Sequence, residues 1–368
     1  MSSTNSGVVE GIRVMTVCNA CRYCEGFCAV FPAMERRRVF SVEDIRYLAN
    51  LCHNCRDCYY ACQYAPPHEF ALNVPQTLAA LRMQSYQDAT WPEAFKGLFK
   101  HNGLSVALIC AASILSVLLP VITFGEPGAF FATHTGPGAF YRIIPYGVMV
   151  SLFSGLGLFI LLGLGKRFLA LWRTFGASPD ELTGWREHLR AVWDVLRLKY
   201  LDGGGQGCNY PDERFSMARR YYHHAVFYGF LLCLVSTALA AAYDHILKAA
   251  APYPLTSWPV LLGTVGGAAM VAGTAGLLFF KQKADPIPAD SRSLGGDLGF
   301  LLLLLFTNLT GLLLLFLRQT PLMGLLLCLH LGFVLGLFIT MPYGKFVHGL
   351  HRYAALVRNA AEQVKSKK

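Results

Sequence analysis

The chain has 368 residues, of which 54% are hydrophobic and only 15% charged, and its formal net charge is +10. This composition is too apolar for an ordinary soluble protein. The positive charge would suit a nucleic-acid partner, but the basic residues are distributed as in a membrane protein, so no nucleic acid is indicated.

Two copies of the spacing C-x2-C-x2-C-x3-C lie near the amino terminus, in CNACRYCEGFC and CHNCRDCYYAC. This is the run of two-cluster bacterial ferredoxins, in which the fourth cysteine of each motif binds the other cluster. The sequence therefore predicts two [4Fe–4S] clusters with crossed ligands. The first cluster would take Cys18, Cys21, Cys24 and Cys62, and the second would take Cys52, Cys55, Cys58 and Cys28.

Paired zinc sites and disulfides are the competing interpretations of these cysteines. Zinc sites mostly use C-x2-C pairs separated by a longer loop, not triplets with a fourth cysteine. Disulfides are rare on the reducing cytoplasmic side of a membrane. The linker ERRRVFSVEDIRYLAN predicts a helix with Ser41 as its N-cap. Such a linker resembles the helical two-cluster domains of quinone-linked reductases more than a small free ferredoxin.

Six apolar stretches are each long enough to cross a bilayer, which takes about 20 residues in a helix. They cover approximately residues 104–124, 143–165, 223–244, 258–280, 298–317 and 322–342. We therefore predict a mostly α-helical protein in which a helical two-[4Fe–4S] ferredoxin-type domain precedes a six-helix transmembrane bundle. The predicted boundaries are 1–101 for the ferredoxin-type domain, 102–352 for the membrane domain with a cytoplasmic loop at 166–220, and 353–368 for a basic cytoplasmic tail.

The basic residues predict the orientation in the membrane, because Lys and Arg collect on the cytoplasmic side. With the amino-terminal domain in the cytoplasm, all of the 32 Lys and Arg residues except Arg142, Lys248 and Arg318 lie on that side. We expect a multi-pass protein of the bacterial inner membrane, with both termini and the iron–sulfur domain in the cytoplasm.

The loop at 166–220 contains two features. WREHLRAVWDVLRL has an apolar stripe at helical spacing, which predicts an amphipathic helix lying in the membrane interface. The glycine-rich stretch DGGGQGCNYPDERFS follows, and it lacks the residues of a phosphate-binding loop. We interpret it as a flexible docking loop for a partner protein.

Histidines in the spans are candidate axial ligands of b haem, because imidazole is a usual haem ligand and ionisable groups at membrane depth mark functional sites. His224 and His348 are expected at the cytoplasmic ends of spans three and six, so we predict that they hold one haem. His330 lies five turns from His348 on the same helix face, about 27 Å away. A second haem would use His330 with His245, although their expected depths differ. His101 is an alternative ligand.

Two further pairs of residues near these histidines have open interpretations. Arg219 and Arg220 would meet haem propionates, or they would anchor the span at the cytoplasmic interface. The competing interpretation of His348, His351 and His223 is that they are interfacial residues; if the pair of His224 and His348 fails, His223, His101 and His330 are the next candidate ligands. His351 points about 300° around the helix from His348, so its replacement is expected to leave a haem in place.

The cysteine motifs, followed by RYYHHAVFYGFLLCLVSTALA and PYPLTSWPVLLGTVGG, resemble the citrate/tricarballylate-utilisation protein B family over essentially the whole chain. The ending HLGFVLGLFITMPYGKFVH is similar to the haem-bearing span of respiratory nitrate reductase gamma subunits. In those subunits two histidines at this separation bind different haems, which would carry over to His330 and His348. Their partner histidines share one other helix, whereas this chain has Leu234 where the second partner would stand.

The family resemblance implies a role as an electron-transfer subunit of a quinone-linked oxidoreductase. It would reoxidise the flavin of a partner, an FAD-dependent dehydrogenase similar to tricarballylate dehydrogenase, and pass electrons through two [4Fe–4S] clusters and one or two b haems to the membrane quinone. No dinucleotide fingerprint is visible, so flavin chemistry and substrate conversion would belong to another subunit. The alternative function is a membrane transporter or a redox sensor with regulatory clusters. A transporter of an anionic substrate is expected to place Lys or Arg near mid-membrane, and the six predicted spans have none there.

Overall fold

The computed structural model describes residues 3–99, 102–126, 128–178, 181 and 184–366. This described part is mostly α-helical, as the sequence predicts. Its α-helices are α1 (Ser3–Cys21), α2 (Val30–Glu35), α3 (Val42–Leu51), α4 (Asp57–Tyr60), α5 (Val74–Asp88), α6 (Asn102–Phe124), α7 (Tyr146–Thr174), α8 (Trp185–Leu196), α9 (Ala218–His245), α10 (Trp258–Lys283), α11 (Leu294–Leu317), α12 (Met323–Thr340) and α13 (Val347–Lys365). Two short antiparallel strands, β1 (Cys208–Asn209) and β2 (Phe215–Ser216), form a hairpin before α9.

Helix α3 of the amino-terminal unit begins where the sequence predicts. The Ser41 hydroxyl accepts a hydrogen bond from the backbone N–H of Asp44, and the Asp44 carboxylate accepts one from the backbone N–H of Ser41. This reciprocal pair satisfies two N–H groups that the start of a helix would leave without partners. α3 then buries Ile45, Leu48 and Leu51 at a spacing of three residues, in the core that it shares with α1, α2 and α5.

Six helical segments of the described chain are long and apolar enough to cross a membrane, so the protein is a multi-pass membrane protein. They are α6, α7, α9, α10, Ser291–Leu317 with α11, and Met323–Lys365 with α12 and α13, and each overlaps one predicted span.

Glycines allow two of these spans, α9 and α10, to pack closely. A Cβ added at Gly229 of α9 would lie 2.8 Å from the carbonyl oxygen of Gly266 in α10, and the reverse holds at the same distance. Small residues of this kind let helix backbones approach closely inside a membrane.

The last span continues beyond its predicted end. α12 stops at Thr340, one turn of 3-10 helix covers Met341–Tyr343, and α13 starts at Val347. Pro342 accounts for the break, because proline has no N–H to donate and its ring crowds the preceding turn of a helix.

Helix α13 reaches Lys365 and contains most of the residues that the sequence predicts as a basic tail. Between residues 354 and 361 this helix is buried, and it packs against α3 and α8. Its residues Arg358 and Glu362 form an ion-pair network with Arg37 and Asp44 of the amino-terminal unit. The carboxyl-terminal helix therefore holds the amino-terminal unit against the bundle.

His351 lies at the centre of the contact between the amino-terminal unit and the spans, where its side chain is fully buried. Its Nδ1 is 3.1 Å from Oδ1 of Asn50, and its Nε2 is 3.3 Å from Nη1 of Arg167 in α7. The Arg167 guanidinium also donates to the carbonyl oxygens of Tyr86 and Pro342. Because arginine can only donate, Nε2 accepts and Nδ1–H donates to Asn50. This histidine is thus part of the domain contact and does not lie at an exposed interface.

We expect His351→Ala to weaken this contact without removing any cofactor. The change leaves the buried Asn50 and Arg167 side chains each short of one partner, which costs about 1–3 kcal/mol per group. The thermal unfolding transition should move to lower temperature. Val364→Ala, on an exposed part of α13, is the control and should leave the transition in place. An unchanged transition in His351→Ala would show that this contact contributes little to stability.

The glycine-rich stretch is packed against the rest of the chain, which corrects the expectation that it is flexible, while a docking role for it stays a prediction. It folds over the second cysteine motif, where the backbone N–H of Asn209 donates to the Asp57 carboxylate at 2.8 Å. Gly203 lies so close to Asp57 that an added Cβ would approach Oδ2 to 2.5 Å, and its φ of +54° suits glycine. The glycines thus allow close approach to the motif.

The amphipathic helix of the same loop is confirmed as α8. The apolar side chains of Trp185 and Trp193 are 65% and 58% exposed in the absence of lipid. Exposed tryptophans on one face of a helix are typical of a segment that lies in a membrane interface.

Candidate metal centres

The first cavity lies where the first cysteine motif meets the end of the second. The side chains around it include Tyr23, Phe31 and Leu72. Five predicted cluster ligands line it, namely Cys18, Cys21, Cys24 and Cys62 of one predicted set and Cys58 of the other. The structure therefore brings the last cysteine of the second motif to the first three cysteines of the first motif.

The second cavity lies beside α5. The other predicted set lines it, namely Cys28, Cys52, Cys55 and Cys58. Cys58 borders both cavities, so the wall between them is thin. The cysteines are thus grouped in the crossed manner that the spacing predicts. Binding of a cluster by each group stays a prediction.

A left-handed residue lets each cysteine motif curl around its cavity. Arg22 follows the second cysteine of the first motif and has a φ of 58°, and Arg56 follows the second cysteine of the other motif with a φ of 74°. Asn54, just before that cysteine, has a φ of 56°. Such values are uncommon outside glycine and persist where the surrounding structure enforces them, frequently at functional sites. The two motifs therefore share a turn as well as a spacing.

Burial keeps the thiols of Cys18, Cys24 and Cys28 protonated when no metal is bound. It raises the pKa of Cys18 and Cys24 to about 12, and the neighbouring thiols add to the effect. Burial also raises the pKa of Cys28, and the nearby Cys52 adds to the effect. Since metals bind thiolates, loading of these cavities would release protons.

Each cavity is lined by all four cysteines of one predicted ligand set. Four thiolates are the donor set that a four-iron cube requires. Among the described residues, no three Cys, His, Asp or Glu side chains gather closely enough to hold one metal ion.

Three arginines from different helices bind the backbone of the second motif, at carbonyl oxygens within residues 49–54. They are Arg82 of α5, Arg219 of α9 and Arg352 of α13. Arg82 donates to Ala49 at 3.0 Å and to Cys52 at 2.8 Å, Arg352 donates to Cys52 at 3.3 Å, and Arg219 donates to His53 at 3.3 Å and to Asn54 at 2.6 Å. Two membrane helices, α9 and α13, therefore bind this loop directly through Arg219 and Arg352.

The two arginines predicted to meet haem propionates have protein partners. Arg219 binds the second motif as just described, and Arg220 donates to the carbonyl oxygen of Arg197 at 2.7 Å. Arg352 has a buried Nε without a partner among the described residues. A propionate role for Arg219 and Arg220 stays a prediction.

His348, near the start of α13, faces His223 of α9 with 6.1 Å between the ring centroids. An iron between two imidazoles, with metal–nitrogen bonds of about 2 Å, would hold the centroids about 6 Å apart. Nδ1 of His348 is 2.6 Å from the carbonyl oxygen of Lys345, so it donates there and leaves Nε2 free to bind a metal. Nδ1 of His223 is buried without a hydrogen-bond partner in the described structure, and so is Nε2 of the adjacent His224. The residues present therefore fit a pair of axial haem ligands.

A buried ionic group that the sequence analysis missed holds the segment before His348. The Asp297 carboxylate, in the first turn of α11, pairs with Lys345 at 2.6 Å and also with Lys281 of α10. Removing one partner of a buried ion pair is strongly destabilising, so this triad fixes where α13 begins. Its signal in the sequence is the lone acidic residue in the apolar run LGGDLGF, since such residues are rare in spans.

His224 does not face His348 in this structure. It packs against Tyr228 of its own helix, with ring centroids 5.7 Å apart. Adjacent helix residues point about 100° apart, so only one of His223 and His224 can face α13. The sequence names both residues but does not show which one faces inward.

The predicted second haem pair contacts two different helices. Nδ1 of His330 is 3.1 Å from the carbonyl oxygen of Thr307 in α11, while His245 is hydrogen-bonded to the hydroxyl of Tyr146 at 3.0 Å. His330 thus contacts α11, whereas His245 contacts Tyr146 of α7. His101, the alternative ligand, lies outside the described residues.

The fold and the cysteine cavities define a multi-pass membrane protein with an amino-terminal ferredoxin-like unit. Two family models match the chain: the citrate utilization protein B Fer4-like domain over residues 11–88, and citrate utilization protein B over residues 99–368. A curated relative, citrate utilization protein B of Escherichia coli, is 46% identical over 359 residues, which cover 96% of this chain and 92% of the relative. The chain belongs to the citrate utilization protein B family. No solved structure matches it.

Proposed function

We propose that the protein is a membrane electron-transfer subunit that takes electrons from a partner flavoprotein and delivers them to quinone. One observation supports this above all. The second cysteine cavity is joined to the helices of His223 and His348 by Arg219 and Arg352, which bind its backbone from α9 and α13. The chain thus links two cysteine cavities to a histidine pair in the bundle.

The cysteine sets would each hold one [4Fe–4S] cluster, the first with Cys18, Cys21, Cys24 and Cys62 and the second with Cys28, Cys52, Cys55 and Cys58. When bound, such clusters and a b haem take up and release single electrons. The residues of the chain would position the clusters and exclude water from them. Phe31 and Val74 line both cavities and fill the space between them with apolar side chains.

The imidazoles of His348 and His223 would hold the haem, and the structure favours His223 over the sequence-predicted His224 as the partner. The rings of Phe230 and Phe346, 5.6 Å apart, lie between the same two helices and provide an apolar wall. A second haem held by His330 and His245 stays a prediction.

The distribution of Lys and Arg supports a cytoplasmic position for the amino-terminal unit and both termini, in a bacterial inner membrane. The exposed tryptophans of α8 would then lie in the cytoplasmic leaflet. In this orientation a soluble flavoprotein could reach the first cysteine cavity, and the quinone would approach from the bilayer.

The name of the Escherichia coli relative refers to citrate utilization, and we extend a role in citrate or tricarballylate utilisation to this chain. The electron donor would be an FAD-dependent flavoprotein similar to tricarballylate dehydrogenase. The cysteine and histidine sites of the described chain suit the transfer of single electrons. Conversion of the organic substrate would therefore belong to that partner.

Reconstitution tests this function directly. The full-length protein in proteoliposomes, loaded with its cofactors, should reduce a water-soluble quinone when a chemically reduced flavoprotein of the tricarballylate dehydrogenase type is added. His348→Ala should stop quinone reduction, while the visible signal of the iron–sulfur clusters should still bleach. The control is Cys110→Ala, which changes an isolated cysteine of α6.

The alternative function predicts a different result from the same vesicles. A transporter would accumulate radiolabelled citrate or tricarballylate without any reductant. Uptake of this kind, with no quinone reduced, would overturn the electron-transfer proposal.

A further inference from the structure

We call the three arginines that bind residues 49–54 the arginine collar: Arg82, Arg219 and Arg352. Each donates to a backbone carbonyl at the edge of the second cavity. Arg82 is buried and the other two are half-buried. A guanidinium group stays protonated in proteins, so three positive charges converge on one side of this cavity.

The collar is not neutralised by carboxylates. Among the described residues, none of its three guanidinium groups forms an ion pair. Three other charged residues border the second motif. Arg56 lines the cavity and adds a positive charge. Asp57 and Asp285 supply two carboxylates, which accept from the N–H of Asn209 and from the hydroxyl of Tyr60. Positive charge therefore prevails around the second cavity.

The first cavity has a different environment. The side chains that line it are cysteine, aromatic, aliphatic and glutamine residues, with no Lys or Arg among the described ones. The nearest basic residue in the motif, Arg22, is exposed and donates to the carbonyl oxygen of Asn19. Solvent screens the charge of an exposed group much more than that of a buried one.

Charge of this kind changes a reduction potential in a known direction. A four-iron cube with four thiolates is an anion, and it becomes more negative when it accepts an electron. Nearby positive charge and hydrogen bonds stabilise the reduced form and raise the potential, whereas exclusion of solvent disfavours the added negative charge. A cluster held by the second cysteine set would therefore have a higher reduction potential than one held by the first set.

We propose that the arginine collar gives the second cysteine set the higher reduction potential and makes it the member of the pair that faces the haem. This rests on the proposed function, in which both sets hold [4Fe–4S] clusters. Arg219 lies four residues before His223, and Arg352 lies four residues after His348, so each is about one helical turn from an imidazole. Electrons that enter at the first set would run downhill towards the histidine pair.

A redox titration followed by electron paramagnetic resonance tests the collar. Arg352→Gln removes one charge, keeps a donor amide, and should lower the potential of one cluster by about 59 mV, a tenfold change in a one-electron equilibrium. The other cluster should keep its potential. Arg352→Lys keeps the charge and should restore most of the shift. Arg22→Gln, on the first motif, is the matched control and should shift neither cluster.

The affected cluster is identified by combining Arg352→Gln with Cys28→Ala or Cys62→Ala. The shifted signal should be the one that Cys28→Ala perturbs. Arg219→Gln provides a second variant if Arg352→Gln does not fold. If both clusters are present in Arg352→Gln and their reduction potentials shift equally or not at all, the collar proposal is overturned. That result would leave the proposed function intact. Absence of the clusters from the wild-type protein would instead overturn the proposed function.

Discussion

His348→Ala should abolish the low-spin spectrum of a b haem while the signals of the iron–sulfur clusters persist. The physical reason is that Nδ1 of His348 is committed to the carbonyl oxygen of Lys345, which aims Nε2 as a ligand towards His223. The substitution would remove one of the two imidazoles that would hold the haem. We expect a loss of at least tenfold in bound haem per protein, measured by the absorbance of the reduced form.

His223→Ala should have the same effect, and His224→Ala should have little. This pair of neighbouring substitutions separates the two candidate partners, because only His223 faces α13 in the structure. His351→Ala is the matched control, since it removes a buried imidazole from the same helix as His348. A haem that survives His223→Ala but is lost in His224→Ala would restore the partner first expected from the sequence. A haem that survives both would move attention to His330 and His245.

Cys28→Ala and Cys62→Ala should each destroy the cluster of the opposite motif. Cys28 lies in the cavity with Cys52 and Cys55, while Cys62 lies in the cavity with Cys18 and Cys21. A cube deprived of one of its four cysteine ligands should fail to assemble. We expect about half of the non-haem iron to disappear in each variant.

Electron paramagnetic resonance distinguishes the two variants. The signal lost in Cys28→Ala should be the one retained in Cys62→Ala, and the reverse should also hold. Cys233→Ala, which changes a cysteine inside α9, is the control and should retain both signals. Loss of the same signal in both variants would show that the ligand sets are not crossed.

Local patterns in the sequence were sufficient for much of this fold. The six spans depend only on the length of apolar runs, and each is present. The cap of α3 depends on Ser41 and Asp44, three residues apart, and forms as predicted. The grouping of the cysteines also follows from their spacing, because two motifs of equal spacing can each complete the other.

Contacts between distant segments could not be predicted. No local pattern shows that α13 packs on α3, or that Asn209 of the glycine-rich stretch binds Asp57. The choice between His223 and His224 depends on how far α9 is rotated, and a one-residue difference corresponds to about 100°. The arginine collar is formed by three helices, so it appears only when they have been brought together.

The most direct test of the account is iron and haem quantification on a single anaerobic preparation of the full chain. Two four-iron clusters and one haem predict about eight non-haem irons and one b haem per chain, with a visible spectrum that sharpens on reduction. A second haem would raise the haem content to two per chain and leave the non-haem iron content unchanged. A preparation that folds and inserts into membranes, yet contains about four irons or fewer and no haem, would contradict the proposed relay.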